Sequence, residues 1–137
     1  MNQILEEILE IPERGKNFWS NTPPYTLPLG VPYLGMGSSY FSPLAFKYMG
    51  VKIFPELASE YYTYLRNTNK LPHAVILSQS GKSSEALWCT GLFEQYTAVT
   101  NNVNSELAKG ANVREVVSIM AGEEHYSSSK TYTNTLL

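Results

Sequence analysis

An α/β fold with a parallel sheet is predicted by two observations. First, short apolar runs rich in Val and Ile alternate with segments of helical periodicity along the 137 residues. Second, two of these runs lead directly into turns rich in glycine and serine, which is typical of strand-to-helix turns in doubly wound sheets. Parallel neighbours joined by such connections need right-handed crossovers, so we expect a three-layer α/β/α sandwich with a five-stranded parallel sheet.

The first thirty residues are predicted to lie outside this sandwich. From Asn2 to Glu10, apolar residues recur at helical spacing and glutamates lie on the opposite side, which indicates an amphipathic helix. Pro12 is expected to interrupt or restart the helix, with a further short turn reaching Trp19. Three prolines between Ser20 and Gly30 predict an extended linker. The expected organisation is a helical arm and Pro-rich linker in residues 1–30, and one domain in residues 31–137.

Strands and helices are expected to alternate through the domain. The strands are predicted at Val31–Leu34, Val51–Phe54, His73–Leu77, Tyr96–Thr100 and Val116–Met120. The helices are predicted at Tyr40–Met49, Glu60–Arg66, Ala86–Phe93, Ser105–Ala111 and Ser127–Leu137, the last one preceded by a polar loop at Ala121–Tyr126. The final helix reaches the last residue without a capping signal, which predicts a truncated domain. A natural half-size protein that completes its site by dimerising is the alternative, and it stays open.

The turn Ser78–Ser84 is the central chemical feature, because it joins a strand predicted to be buried on both faces to an apolar helix. The first N–H groups of a helix lack intrahelical partners and lie at the positive end of its dipole, so they favour an anion. Four serine hydroxyls can donate to phosphate oxygens there, and Lys82 adds one cation at the rim. The turn predicts a site for a phosphorylated small molecule.

Two other functions are possible for a turn of this composition. Serine-rich turns often serve only as helix N-caps, and that alternative stays open. A nucleotide-binding P-loop is disfavoured because its first glycine belongs five residues before Gly81, where this chain has Ile76 inside the strand.

A second turn, Gly35–Ser39, follows the first predicted strand and repeats the pattern. If the sheet is parallel, both turns lie at the carboxyl edge and can share one ligand. A dinucleotide fingerprint is weak, because the third glycine of that motif is replaced by Tyr40. A plain strand-to-helix turn remains the alternative.

Composition excludes several classes of function. Ten basic against twelve acidic residues give a net charge of −2, so no basic field for nucleic acid and no polybasic membrane patch is expected. No apolar run approaches the roughly 20 residues of a membrane span, and the acidic start is unlike a signal peptide, so a cytoplasmic location is expected. The single cysteine, Cys89, is predicted to be a buried reduced thiol. No metal site and no cofactor are predicted.

Several short motifs occur in a fixed order along the chain. They are Gly37-Ser38-Ser39-Tyr40, Ala58-Ser59-Glu60, Ser78-Gln79-Ser80-Gly81, Thr100-Asn101 with Ser105 and Leu107-Ala108, Ala121-Gly122-Glu123, and the run Ser128–Thr133. The series resembles the SIS (sugar isomerase) domain family, a flavodoxin-like fold. It is most similar to the first SIS repeat in the isomerase part of glucosamine-6-phosphate synthase and of related amino-sugar phosphate deaminases and isomerases.

The resemblance implies a sugar phosphate as ligand, of the fructose 6-phosphate or glucosamine 6-phosphate class. Its phosphate would be held by Ser39, Ser78, Gln79, Ser80 and Ser83, with Gly37, Ser38 and Lys82 at the periphery. This chain departs from the family where Lys82 replaces a glutamate, Ser83 a threonine, and the loop at Glu123 is one residue shorter. An ammonium beside a phosphate should strengthen anion binding.

Isomerisation also needs a base and an acid near the sugar carbons, and the local candidates are Glu123 and His125. His73, at the other end of its strand, is predicted to be structural. In the resembling enzymes the catalytic groups come from a second SIS repeat, which implies that this chain binds without turnover.

Three functions are kept open by these residues. The first is the amino-terminal half of a phosphosugar isomerase or amino-sugar deaminase. The second is a non-catalytic sugar-phosphate-binding module, and the third is a fragment of a glutamine–fructose-6-phosphate aminotransferase. The apolar stripe of the first helix needs a partner surface, so a homodimer is expected.

Overall fold

The protein is described by a computed structural model that covers residues 3–21, 27–65, 70–121 and 135. In this part of the chain, five strands form one all-parallel sheet with the order β2-β1-β3-β4-β5. The strands are β1 Pro32–Gly35, β2 Phe54–Leu57, β3 Leu71–Ser78, β4 Phe93–Thr100 and β5 Val113–Ser118. The predicted α/β fold with a five-stranded parallel sheet is confirmed.

Helices flank both faces of the sheet. They are α1 Gln3–Leu9, α2 Ile11–Asn21, α3 Ser38–Tyr48, α4 Ala58–Glu60 with a π-helical turn Tyr61–Leu65, and α5 Ser84–Cys89 with a 3₁₀ turn Thr90–Leu92. Residues of α4, α5 and the first β4 residue form one apolar cluster with Leu34 and Ile76, and Phe46 of α3 packs on the other face. None of the helices in the described ranges is both long and apolar enough to cross a bilayer.

Strand β3 holds the centre of the sheet, between β1 and β4. Its residues Ala74 and Ile76 belong to one apolar cluster and Val75 and Leu77 to the other, and all four are 5% exposed or less. This alternation satisfies both faces, so an uninterrupted apolar run is what the position requires. From β1 the chain crosses to β2 on one side, and from β3 it continues to β4 and β5 on the other side. The strand order therefore reverses between β1 and β3, and a crevice is expected at the carboxyl ends of these two strands.

The second strand lies three residues later than predicted, at Phe54–Leu57 instead of Val51–Phe54. Val51 and Lys52 belong to the connection, where the N–H of Gly30 donates to the Lys52 carbonyl at 2.7 Å. Pro55 pairs with Tyr33 on an edge strand, and an edge tolerates a residue that lacks an N–H.

Three predicted helices are shorter or absent. Only a turn forms at Ser105–Ala111, because the N–H of Leu107 donates across to the Gly81 carbonyl at 3.2 Å and so leaves the helical ladder. Phe93, expected at a helix end, begins β4 and stacks on Tyr61 at 5.7 Å between ring centroids. The helix expected at Glu60–Arg66 is the short α4 followed by the π-helical turn.

The amino-terminal arm is more helical than predicted. The N–H of Glu10 donates to the Glu6 carbonyl at 3.2 Å and that of Arg14 to the Glu10 carbonyl at 2.9 Å, so the helical bonding continues from α1 into α2. Pro12 is the second residue of α2, where a missing N–H costs little. Helix α2 runs to Asn21, so the linker does not begin at Ser20. The last predicted helix, apart from Thr135, and the loop after Ala121 lie outside the described residues.

Candidate anion-binding site

The two glycine- and serine-rich turns are neighbours at the carboxyl edge of the sheet. Strand β1 pairs with β3 in a register that sets Leu34 beside Ile76, so the ends of the two strands lie within one residue of each other. The turn Gly35–Ser39 therefore lies next to the turn Ser78–Ser84. The turn after β4 joins them, because Thr100 is the register partner of Ser78.

The hydroxyls of Ser78 and Ser80 hold the second turn together. The Oγ of Ser78, a residue that is 4% exposed, accepts the N–H of Gly81 at 3.1 Å. The Oγ of Ser80, on the exposed surface, accepts the N–H of Lys82 at 3.1 Å. Each serine oxygen is thus an acceptor within the turn, and its own O–H remains a donor. Two oriented hydroxyl donors suit a phosphate better than a cation.

Gly81 shows why this turn needs glycine. Its φ is +70°, a left-handed conformation that L-residues rarely adopt. A Cβ at this position would collide with the Oγ and Cβ of Ser105, and would lie 3.2 Å from the Oγ1 of Thr100. Ser105 is 2% exposed, so it has no room to move aside. The anion turn is therefore clamped against the turn that follows β4.

The start of α5 is less favourable to an anion than the sequence predicts. The hydroxyl of Ser83 donates to the Glu85 carboxylate at 3.3 Å, so a negative charge already lies beside the turn. Helix α5 has six residues, and a short helix adds a smaller dipole than the predicted eight-residue helix would. The serine hydroxyls are therefore the main donors, and the exposed Lys82 is the cation nearest to them in the sequence.

The turn after β1 supplies the remaining predicted residues. Gly37 has a φ of +56° and precedes α3, whose first two residues are Ser38 and Ser39. A Cβ on Gly35 would lie 2.6 Å from the Ser39 carbonyl oxygen, so only glycine allows the strand to approach α3 this closely. Ser39 is half-buried at the first turn of α3.

Asn101 links the anion turn to the end of β5. Its N–H donates to the Gln79 carbonyl at 3.0 Å, and its Oδ1 accepts the N–H of Ala121 at 2.7 Å. The same Gln79 carbonyl accepts the Thr100 hydroxyl at 3.3 Å. The sequence shows that these residues follow a strand, but only the sheet order reveals that they support Gln79.

Other chemically active residues lie away from this edge or outside the described ranges. Glu123 and His125 fall in the undescribed segment after Ala121. The Nε2 of His73 is 3.0 Å from the Thr97 Oγ1 in mid-sheet, and its Nδ1 is buried without a partner among the described residues. Burial is the main cause that lowers the pKa of His73, and the positive charge of Arg114 lowers it further. The negative charge of Glu115 opposes this shift.

Cys89 is a structural thiol. Its side chain is fully buried and its Sγ donates to the Ala58 carbonyl at 3.4 Å. Burial raises the pKa of the thiol to about 11, so the thiolate is scarce at neutral pH. In the described part of the chain, no group of three or more His, Cys, Asp and Glu side chains could hold a metal ion.

Comparison with known proteins places this arrangement in a family context. The glutamine–fructose-6-phosphate aminotransferase (isomerizing) of Sulfolobus acidocaldarius is 31% identical in an alignment of 113 residues that covers 76% of this chain and 18% of that protein. The C-terminal domain of glucosamine-fructose-6-phosphate aminotransferase from Francisella tularensis has a TM-score of 0.80 at 23% identity, over 98% of this chain and 44% of that one. The chain has the SIS fold.

A third relative extends the comparison to another chemistry. Glucosamine-6-phosphate deaminase from Thermotoga maritima has a TM-score of 0.68 at 17% identity, over 98% of this chain and 47% of that one. The resemblance predicted from the motifs is thereby confirmed, and the chain shares the SIS fold with these proteins. It spans less than half the length of each of these three relatives. A scan against protein-family models finds no match.

Proposed function

We propose that this SIS domain binds a sugar phosphate with its phosphate group in the serine-rich turn after β3. The observation that carries the proposal is the pair of hydroxyls at Ser78 and Ser80. Each oxygen accepts a backbone N–H of the turn, at 3.1 Å in both cases, so each O–H is left to donate to a ligand. A tetrahedral anion with several acceptor oxygens matches such donors.

The proposed phosphate ligands are those that the resemblance implies. They are Ser39, Ser78, Gln79, Ser80 and Ser83, with Gly37, Ser38 and Lys82 at the periphery of the site. For Ser83 to take part, its hydroxyl must leave the Glu85 carboxylate that it now contacts at 3.3 Å. Lys82 favours this exchange, because its ammonium would offset the charge of Glu85 beside a bound phosphate.

The proposed substrates are fructose 6-phosphate and glucosamine 6-phosphate. The relatives are named for chemistry on fructose 6-phosphate and glucosamine 6-phosphate, which supports this class. We place the chain as the first of two SIS repeats in a phosphosugar isomerase, deaminase or aminotransferase. Its length, which corresponds to 44% and 47% of the two solved structures, supports that placement.

The chain by itself is proposed to bind without turnover. Hydroxyl and backbone donors hold a phosphate equally well in the ground state and the transition state, and uniform binding does not accelerate a reaction. Glu123 and His125 remain the local candidates for a base and an acid. A coupled isomerase or deaminase assay tests this step, and turnover that Glu123→Gln abolishes would overturn it.

The binding proposal is tested by calorimetric titration with fructose 6-phosphate. Ser80 is the residue to replace, because its side chain is exposed and its loss leaves the core intact. A hydrogen bond to a charged group contributes about 1.5–3 kcal/mol, so Ser80→Ala should weaken binding roughly 10- to 150-fold. Ser78→Ala combined with Ser80→Ala should weaken it further.

Ser20→Ala is the control, since Ser20 is an exposed serine of α2 and not one of the four serines of the turn. Its affinity for fructose 6-phosphate should stay within about twofold of the unchanged chain, because a surface substitution away from the ligand costs under 0.5 kcal/mol. Equal loss in Ser80→Ala and Ser20→Ala, or no loss in either, would refute the assignment of the phosphate ligands.

A further inference from the structure

Ser83 holds the N-cap position of α5, but its side chain makes no capping hydrogen bond to that helix. An N-cap serine ordinarily accepts a backbone N–H of the first helical turn with its side-chain oxygen. Here the hydroxyl donates to the Glu85 carboxylate, with 3.3 Å between the two oxygens. The donor that Ser83 would offer to a phosphate is therefore held by an acidic side chain.

The negative charge of Glu85 is not neutralised by a neighbour within the described ranges. No lysine or arginine of these ranges places a side-chain nitrogen within 4 Å of the Glu85 carboxylate. Glu85 is half-buried, so salt screens its charge less than it would screen a fully exposed one. A phosphate that approaches Ser83 therefore meets a carboxylate without a counter-ion.

The distance between this carboxylate and a bound phosphate follows from the Ser83 contact. A phosphate oxygen that accepts the Ser83 hydroxyl would lie about 2.7 Å from its Oγ, and hence no more than about 6 Å from the Glu85 oxygen. Two negative charges at that separation repel each other enough to weaken binding roughly threefold at the dielectric constant of water and roughly 100-fold at that of a protein surface. Glu85 is therefore close enough to limit the affinity for phosphate.

We propose that Glu85 sets the affinity of the anion turn by competing with phosphate for the Ser83 hydroxyl. In this structure the carboxylate takes the hydroxyl donor. When a phosphate binds, the hydroxyl turns to the phosphate, and the carboxylate loses its partner and repels the new charge. Both effects oppose binding, so Glu85 favours release of the ligand. This inference rests on the proposed phosphate site and names the residue that limits its affinity.

Calorimetric titration of the full chain with fructose 6-phosphate and with inorganic phosphate tests the competition. Glu85→Gln keeps the shape of the side chain and removes its charge, so both probes should bind about 3- to 100-fold more tightly. Glu94→Gln is the matched control, because it changes the net charge equally from an exposed position at the amino end of β4. That position is about 20 Å from the carboxyl end of its strand, beyond the screening length of about 8 Å at physiological salt, so its affinities should stay within about twofold.

The Ser83→Ala background separates competition from repulsion. Without the hydroxyl, only the repulsion remains, so the gain from Glu85→Gln should become smaller, and 1 M salt should reduce it further. The melting temperature should not rise in Glu85→Gln, because an acidic residue in the first turn of α5 stabilises that helix. Tighter binding then cannot come from a more stable fold.

The outcomes distinguish this inference from the phosphate site on which it rests. Tighter binding by Glu85→Gln supports the competition, also where this variant alone binds measurably. If the unchanged chain binds and Glu85→Gln binds equally or less tightly, the competition is overturned and the phosphate site stands. A gain of the same size with and without the Ser83 hydroxyl likewise overturns the competition. If neither chain binds either probe, the competition and the phosphate site are both overturned.

Discussion

Replacing Gly81 with alanine tests how tightly the anion turn is clamped. Alanine at a φ of +70° costs about 1–2 kcal/mol from the left-handed backbone alone. Its Cβ also collides with Ser105, which is 2% exposed, and overpacking at such a position adds about 1–3 kcal/mol. The free energy of unfolding should therefore fall by about 2–5 kcal/mol, a large part of the 5–15 kcal/mol typical of a domain.

Two further variants separate the backbone strain from the collision. Gly37 has a φ of +56° and a ψ of −129°, a backbone region that L-residues rarely adopt, but a Cβ there meets nothing within 4 Å, so Gly37→Ala should cost only the backbone strain, about 1–3 kcal/mol. Ser105→Gly removes the atoms that the new Cβ would meet. Combined with Gly81→Ala, it should recover about 1–3 kcal/mol relative to the sum of the two single changes.

Urea unfolding of the four variants provides the measurement, with the slope checked for constancy so that midpoints report stability. Binding of inorganic phosphate is measured beside it, and should weaken in Gly81→Ala more than in Gly37→Ala. The clamp is refuted if Gly81→Ala costs no more than Gly37→Ala, or if Ser105→Gly fails to couple with it.

Three further predictions concern single residues. Asn101→Ala should lower the unfolding free energy by about 1–2 kcal/mol in urea titration, because it leaves the Ala121 N–H without its acceptor, and Asn101→Asp should keep most of that stability. Burial lowers the His73 pKa below its usual 6.5, so the unfolded chain binds the proton first as pH falls. Stability should therefore be constant above about pH 7 and drop below pH 6.5 in unfolding curves, more steeply than in His73→Gln. Cys89, with its pKa raised to about 11, should react with a thiol reagent only on unfolding, and labelling of the native chain would contradict this.

The elements that the sequence predicts correctly are those decided by local pattern. The run His73–Leu77 lies within β3 because its β-branched residues suit a strand buried on both faces. Helix α3 begins within two residues of its predicted start, because Gly37 and the serines after it mark the turn. Local chemistry and tertiary packing agree at these positions.

The misplaced elements are those decided by contacts between distant residues. The turn at Ser105 does not become a helix, because Leu107 bonds to Gly81 instead of to its own ladder. The shift of the second strand depends on Pro55 lying at a sheet edge, which only the strand order reveals. The role of Asn101 and the contact of Ser83 with Glu85 likewise appear only once the turns are assembled.

The dependence of binding on the phosphate group tests the central proposal most directly. A ligand that binds only the folded chain raises its melting temperature by an amount set by its concentration relative to the dissociation constant. Fructose 6-phosphate and glucosamine 6-phosphate at millimolar concentration should raise the melting temperature of the full chain, whereas fructose and glucosamine should leave it unchanged. Equal shifts with and without the phosphate, or no shift with any of the four sugars, would contradict a phosphate site in the turn Ser78–Ser84.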